Sequence, residues 1–165
     1  MPSFSIKRAT SDDIPTIIQV QEQTWEPTYR DILSDEQIRF MFDKIYSPDV
    51  LEQQMTQQNH QFFLLLAEQQ PIGFASVEPA TVDLFKMHKI YILPSLQGTG
   101  AGKYLLSFVE DFVRSAGGTT LSLNVNRYNK AKLFYEKMGF HVVRQEDIPI
   151  GSYWMNDFVL EKQIG

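Results

Sequence analysis

The sequence predicts a mixed α/β fold, with helices on both faces of a mixed sheet. Three observations carry that expectation. The early apolar runs are linked by short turns, as in antiparallel hairpins. The later runs alternate with segments of helical spacing, as strands do when helices connect them. No internal repeat, low-complexity stretch or Pro/Gly/Ser-rich linker divides the 165 residues, so one domain over residues 1–165 is expected.

The elements follow in order. Residues 4–9 alternate and read as a strand. Thr10 with Asp13 three positions later is a capping signal, Pro15 is tolerated in a first turn, and Ile14, Ile17, Ile18, Gln21 and Trp25 follow at helical spacing. Further helices are expected over residues 35–42 and 48–57, the latter ending in the exposed Gln-rich patch 53–58. Residues 61–67 form a strongly apolar strand, Gln69-Gln70-Pro71 marks a turn, and residues 72–77 return as a hairpin. Residues 83–93 make another strand, closed by Pro94. A glycine loop follows. Ala101, Tyr104, Leu105, Phe108, Val109 and Phe112 then share one helical face, and Gly117-Gly118 stop that helix. Residues 119–125 are a strand, and Ala131, Phe134, Tyr135 and Met138 a helical stripe ended by Gly139. Residues 140–143 and 153–160 form a final strand pair.

Composition narrows the function. The net charge is −5 and the pI about 5.2, which argues against nucleic acid as a partner and suits a cationic substrate, although mild acidity is ordinary. With no cysteine, disulfides, thiolate nucleophiles and cysteine metal sites are removed at once. The N-terminal residues 1–8 lack the apolar run of a signal peptide, and no segment approaches transmembrane length. A cytoplasmic protein with no membrane partner and no metal is expected.

The loop Gln97-Gly98-Thr99-Gly100-Ala101-Gly102 between a strand and an amphipathic helix is an anion site in outline. Glycines let backbone N–H groups close on a ligand, the helix start offers unpaired donors and the positive end of a dipole, and Lys103 adds charge. The spacing Gly98-x-Gly100-x-Gly102 departs from the dinucleotide fingerprint. Gly102-Lys103 is followed by Tyr104, so the P-loop hydroxyl for magnesium is absent. Taken alone, the loop is equally readable as a tight turn.

Its context adds a resemblance. Gln97-x-x-Gly100-x-Gly102 after Ile90-Tyr91-Ile92-Leu93-Pro94 resembles the pyrophosphate loop of the GNAT superfamily of N-acetyltransferases. The run from Asn124-Val125-Asn126 to Phe134-Tyr135-Glu136-Lys137-Met138-Gly139-Phe140 is similar to that family's second signature. His88-Lys89-Ile90-Tyr91-Ile92 and Gly151-x-x-x-x-Asn156-Asp157-Phe158 are similar to bacterial spermidine/spermine acetyltransferase-like members. The resemblance implies a mostly antiparallel central sheet of about seven strands flanked by helices. It implies acetyl-CoA as co-substrate, held by the loop from Gln97 through Gly98, Thr99, Gly100, Ala101 and Gly102 to Lys103, with Asn124, Asn129, Lys132 and Lys137 as further contacts. The main chain of Ile90, Tyr91 and Ile92 would pair with the pantetheine arm like an added strand, and an amide there would steady the oxyanion. Each has an ordinary reading too: strand isoleucines pack a core, Asn129 caps a helix, and the lysines form a solvated face.

Tyr135 matches the family's general acid. A thiol titrates near ~8.5 and a phenol near ~10, so a neutral Tyr can protonate a departing sulfur. The general base is open. Many relatives carry Glu four residues before the position of Ile90, where this chain has Lys86. His88 has a suitable intrinsic pKa, Glu26 is the other candidate, and a water chain is a third. Glu22, Trp25, Glu26 and Tyr29 on or near the first helix match a region that borders the acceptor site. The acceptor reads as a small polyamine-like amine, with a peptide N-terminus or another small amine as alternatives. An acyl-CoA sensor without catalysis and a nucleotide-binding module are the readings from other classes. C-terminal edge strands pair in relatives, which implies a homodimer.

Overall fold

The computed structural model describes residues 3–165; Met1 and Pro2, which open the N-terminal segment and the expected domain, lie outside the described residues. The elements are β1 (Phe4–Arg8), α1 (Ile14–Tyr29), α2 (Asp35–Ile45), α3 (Pro48–Thr56), β2 (Gln61–Ala67), β3 (Gln70–Pro79), β4 (Leu84–Ile92), α4 (Ala101–Ser115), β5 (Thr120–Asn126), α5 (Ala131–Lys137), β6 (His141–Ile150) and β7 (Tyr153–Gln163). The seven strands form one sheet in the order β1-β2-β3-β4-β5-β7-β6. Every neighbouring pair is antiparallel except β4 and β5, which run parallel. This is the mixed, mostly antiparallel sheet that was expected.

The apolar run in β2 needs two covered faces, and it has them. Phe63 and Leu65 pack with Leu105, Leu106, Val109 and Val113 of α4 and with Tyr135 of α5. Phe62 and Leu64 turn the other way, toward Ile17, Val20 and Trp25 of α1, Ile38 and Met41 of α2 and Leu51 of α3. Each such side chain, once fully buried, contributes about 1.5–3 kcal/mol. Local chemistry starts the helices. Ser34 Oγ accepts from Gln37 N–H at 3.1 Å and Ser47 Oγ from Val50 N–H at 3.3 Å, with Pro48 opening α3. Thr10 N–H donates to Asp13 Oδ2 at 2.9 Å.

Two expectations change. On α4, Tyr104 and Phe108 sit on the flank rather than in the buried stripe, which instead includes Leu106, Val113 and the carboxylate of Glu110. Lys162 on β7 holds that carboxylate at 3.0 Å. The final hairpin runs far beyond residue 143, since β6 continues to Ile150. β6 is an edge strand, almost all exposed, so no apolar period marks it, and Pro149 is tolerated because an edge has free N–H positions. Among the described residues no helix is long and apolar enough to cross a membrane.

One feature of the sheet positions the site. β4 and β5 pair only between Leu84–Met87 and Thr120–Leu123. The β3–β4 register shifts between Ser76 and Val77, leaving His88 as the extra residue on β4. Beyond it the two parallel strands diverge. Among the described residues, the edge of β4 that faces β5 has no strand partner from His88 to Ile92.

Candidate active site

A cleft of about 760 Å³ occupies this divergence. One wall is β4, with Met87, His88, Ile90, Tyr91 and Ile92. Asn124 and Val125 of β5 face it, with Asn129, Phe134 and Tyr135 alongside. Gln97, Gly98, Gly100, Gly102 and Lys103 close one end, and Thr24, Pro27, Thr28 and Tyr29 of α1 cover the cleft.

The glycine loop has the form an anion site needs. Gly98 and Gly100 hold φ of 81° and 90°, left-handed values that disfavour any side chain, and nothing lies within 4 Å of either Cβ position. The N–H groups at the start of α4 have no acceptor within the helix, and Gly100, Gly102 and Lys103 there line the cleft. Gly102 serves packing instead, because a Cβ there would meet Phe134 Cζ at 3.3 Å. Thr99 Oγ1 turns back to the Leu96 carbonyl at 2.6 Å, Gln97 Nε2 donates to the Ile92 carbonyl at 3.3 Å, and Ala101 is buried in the core.

Tyr135 is buried between Phe134 and Phe140, with ring centroids 5.3 and 5.9 Å away. Burial, and then the neighbouring Tyr29 phenol, hold its pKa well above the ordinary phenol value. Tyr29 and Tyr91 are shifted upward as well, chiefly by burial, so the cleft carries neutral phenols. Asn129 accepts from Ala131 N–H at 2.9 Å, which is the capping role. Asn124 accepts from Lys86 Nζ and donates to Asp157 Oδ2 at 3.2 Å, so its amide is committed on both ends. Lys132 and Lys137 do not line the cleft. The Lys132 ammonium lies 4.9 Å over the Phe158 ring and 3.7 Å from Glu136, and Lys137 is exposed.

The base candidates separate. His88 lines the cleft. Glu22, Trp25 and Glu26, expected beside the acceptor, line a different depression of about 490 Å³ with Asp35, Arg39 and Asp43. The helical period explains the split: Thr24, Pro27 and Thr28 occupy the face of α1 toward the cleft, and Glu22, Trp25 and Glu26 the next one. Glu26 is paired with Arg30 at 2.6 Å. Trp25 is buried, its Nε1 donating to the Ile38 carbonyl at 3.3 Å, and of this group Tyr29 alone reaches the cleft. Lys86, where relatives carry Glu, is half-buried against Asn124, and burial lowers its pKa. Sequence reasoning missed Glu78, whose Oε1 lies 2.6 Å from His88 Nε2. The contact depends on the register between β3 and β4, which the extra residue at His88 displaces.

Residues 29–155 match the family model of the acetyltransferase (GNAT) domain. The chain belongs to the GNAT acetyltransferase family. Over 98% of both chains it is 28% identical to a spermidine N(1)-acetyltransferase of Thermoplasma acidophilum. It superposes with a TM-score of 0.82, over 98% of this chain and 99% of the other, on the crystal structure of the PaiA N-acetyltransferase of that organism in complex with coenzyme A, at 28% identity. It is also 39% identical over 79 residues, 48% of this chain and 53% of the other, to a [ribosomal protein bS18]-alanine N-acetyltransferase of Haemophilus influenzae. This GNAT chain is therefore an acetyl-CoA-dependent N-acetyltransferase. Its residues fit the co-substrate: open left-handed glycines face a helix start for the diphosphate, and the unpaired edge of β4 offers main-chain donors and acceptors to an amide-bearing arm.

Proposed function

We propose that the protein moves an acetyl group from acetyl-CoA to a primary amine of a small polyamine-like acceptor by direct attack, within a single domain. The observation that supports this chemistry most is one cleft lined jointly by the glycine loop, the unpaired edge of β4, Tyr135 and His88. The single-domain reading is supported by a sheet that draws strands from both ends of the chain. The polyamine reading is supported by the full-length likeness to the spermidine N(1)-acetyltransferase and by the net charge of −5.

Acetyl-CoA supplies an activated thioester. Main-chain N–H groups from Gly98 to Lys103 would hold its diphosphate, and Ile90, Tyr91 and Ile92 would pair with its pantetheine arm. A β4 amide would donate to the carbonyl oxygen as it gains charge. Tyr135 would give its proton to the departing sulfur, since a phenol carries its proton near neutral pH. His88 would take the proton of the incoming ammonium.

A protein N-terminus is the second reading, favoured by the 79-residue match to the bS18-alanine enzyme. Thiol release from acetyl-CoA with spermidine, spermine, simple alkyl amines and a peptide with N-terminal alanine separates the two. Spermidine or spermine is expected to give the highest kcat/KM. A peptide ahead by about tenfold, about 1.4 kcal/mol in transition-state terms, replaces the polyamine reading.

A further inference from the structure

His60, Glu78 and His88 stand side by side at neighbouring strands. His60 directly precedes β2, whose first residue Gln61 pairs with Val77, and Glu78 pairs with Lys86 on β4. Glu78 Oε1 lies 2.6 Å from His88 Nε2, and Glu78 Oε2 lies 3.3 Å from His60 Nε2. The two imidazoles are stacked, with centroids 4.6 Å apart and planes 12° apart.

The donor atoms lie within 4.8 Å of one another, a spacing that invites comparison with a metal site. The rings argue otherwise. An ion about 2.1 Å from an imidazole nitrogen sits in the plane of that ring, and two nearly parallel, stacked planes share no such point. The arrangement is instead a carboxylate hydrogen-bonded to His88 through one oxygen, with His60 beside the other. His60 is buried, and burial followed by the charge of His88 brings its pKa down to about 4, so it is neutral near neutral pH. His60 Nε2 stands 3.3 Å from Glu78 Oε2, a polar contact rather than a hydrogen bond, and its buried Nδ1 has no hydrogen-bond partner among the described residues. His88, donating its own Nε2–H to Glu78, has its lone pair on Nδ1. A carboxylate that sets the tautomer of a catalytic imidazole works in this way.

We infer that Glu78, backed by His60, is a positioning residue that fixes His88 in the Nε2–H tautomer and makes Nδ1 the base for the acceptor ammonium. The inference rests on the reading of His88 as the base. The ammonium N–H bond breaks, its electron pair stays on nitrogen, and the proton goes to Nδ1. The imidazolium is stabilised by Glu78 and, at 29% side-chain exposure, returns the proton to solvent. The freed pair forms the C–N bond while the carbonyl π pair moves onto oxygen; that pair then restores the C=O as the C–S bond breaks, and sulfur leaves with the Tyr135 proton. The second amine proton restores Tyr135 through cleft water.

The charged and titratable groups acting on His88 are Glu78 from β3, His60 beside β2, and Lys86 and Lys89 on β4. Burial most of all, and then the lysines, oppose the imidazolium and hold the pKa of His88 below its ordinary value, while Glu78 favours the charged form. Removing the Glu78 charge therefore lowers the pKa of His88 and moves the acidic limb of kcat/KM to lower pH.

The test is kcat/KM from about pH 5 to about pH 9 at saturating acetyl-CoA, with spermidine or the amine the panel ranks first. His88→Gln is expected to abolish the limb and lower the plateau about 100-fold. Glu78→Gln should move the limb down by about one pH unit and lower the plateau about tenfold. His60→Phe keeps the stack but removes the Nε2 that stands beside Glu78 Oε2, and should lower the plateau severalfold. Protection of each variant by coenzyme A against heat verifies the fold. Glu78→Asp, which draws the charge back by one methylene, replaces a Glu78→Gln that fails that check and should lower the plateau in the same direction. If His88→Gln removes the limb while the Glu78 variants leave limb and plateau unchanged, the positioning role is refuted and His88 stands as base. A limb and plateau unmoved in His88→Gln overturn both.

Discussion

Tyr135 takes its character from its surroundings. A phenol on a solvated helix face ionises near its ordinary value, whereas this one is buried beside Tyr29 and its pKa is raised, by burial first. Tyr135→Phe keeps the packing against Phe134 and Phe140 and removes only the hydroxyl. We expect kcat to fall about 100-fold or more with the Kd for coenzyme A within about twofold, about 0.4 kcal/mol. Steady-state turnover equal to wild type removes Tyr135 from the mechanism. Its candidacy was legible from the run ending Met138-Gly139-Phe140; its burial was not, because burial belongs to the tertiary structure. Glu78 was illegible for a related reason: it touches His88 only through strand pairing. The loss of Glu at the position of Lys86 was legible at once, but the pairing of Lys86 with Asn124 across the β4–β5 boundary was not.

At the scale of elements, the joint between the loop and α4 is the most exacting. Gly100 precedes α4 at φ 90° with open space where a Cβ would go, so substitution there is a test of backbone conformation alone. Gly100→Ala costs roughly 1–2 kcal/mol of strain or moves the loop N–H groups off their target. We expect coenzyme A affinity to drop about tenfold by calorimetry while the Tm of the free protein changes little, as the loop relaxes. An unchanged Kd means these glycines serve only the turn. The period of α4 was readable over most of its length, yet Glu110 inside its buried stripe was not foreseen, because its partner Lys162 lies on β7. β6 was half-read because an exposed edge strand carries no apolar signal.

The cleft belongs to the whole molecule, for it exists only where two parallel strands stop pairing. A ligand bound there is held by β4, β5, α1, α4 and the loop together, so it should stabilise the protein as a unit. Coenzyme A at 100 times its Kd should add about 2.7 kcal/mol, raising Tm by roughly 5–10 °C, with ATP and NAD giving much less. Equal protection by ATP or NAD would mean that the loop reads diphosphate alone. By itself the sequence determined the mixed α/β class and the position of the glycine loop, and through its family resemblance pointed to acetyl-CoA and to Tyr135 as the candidate acid, because apolar period, glycine position and motif spacing are local and survive in one dimension. The tertiary structure alone decided the divergence of β4 from β5, the removal of Glu22 and Glu26 from the cleft, and the grip of Glu78 on His88. Those depend on strand register and helix facing between segments far apart in the chain, where a shift of one residue changes which side chains meet.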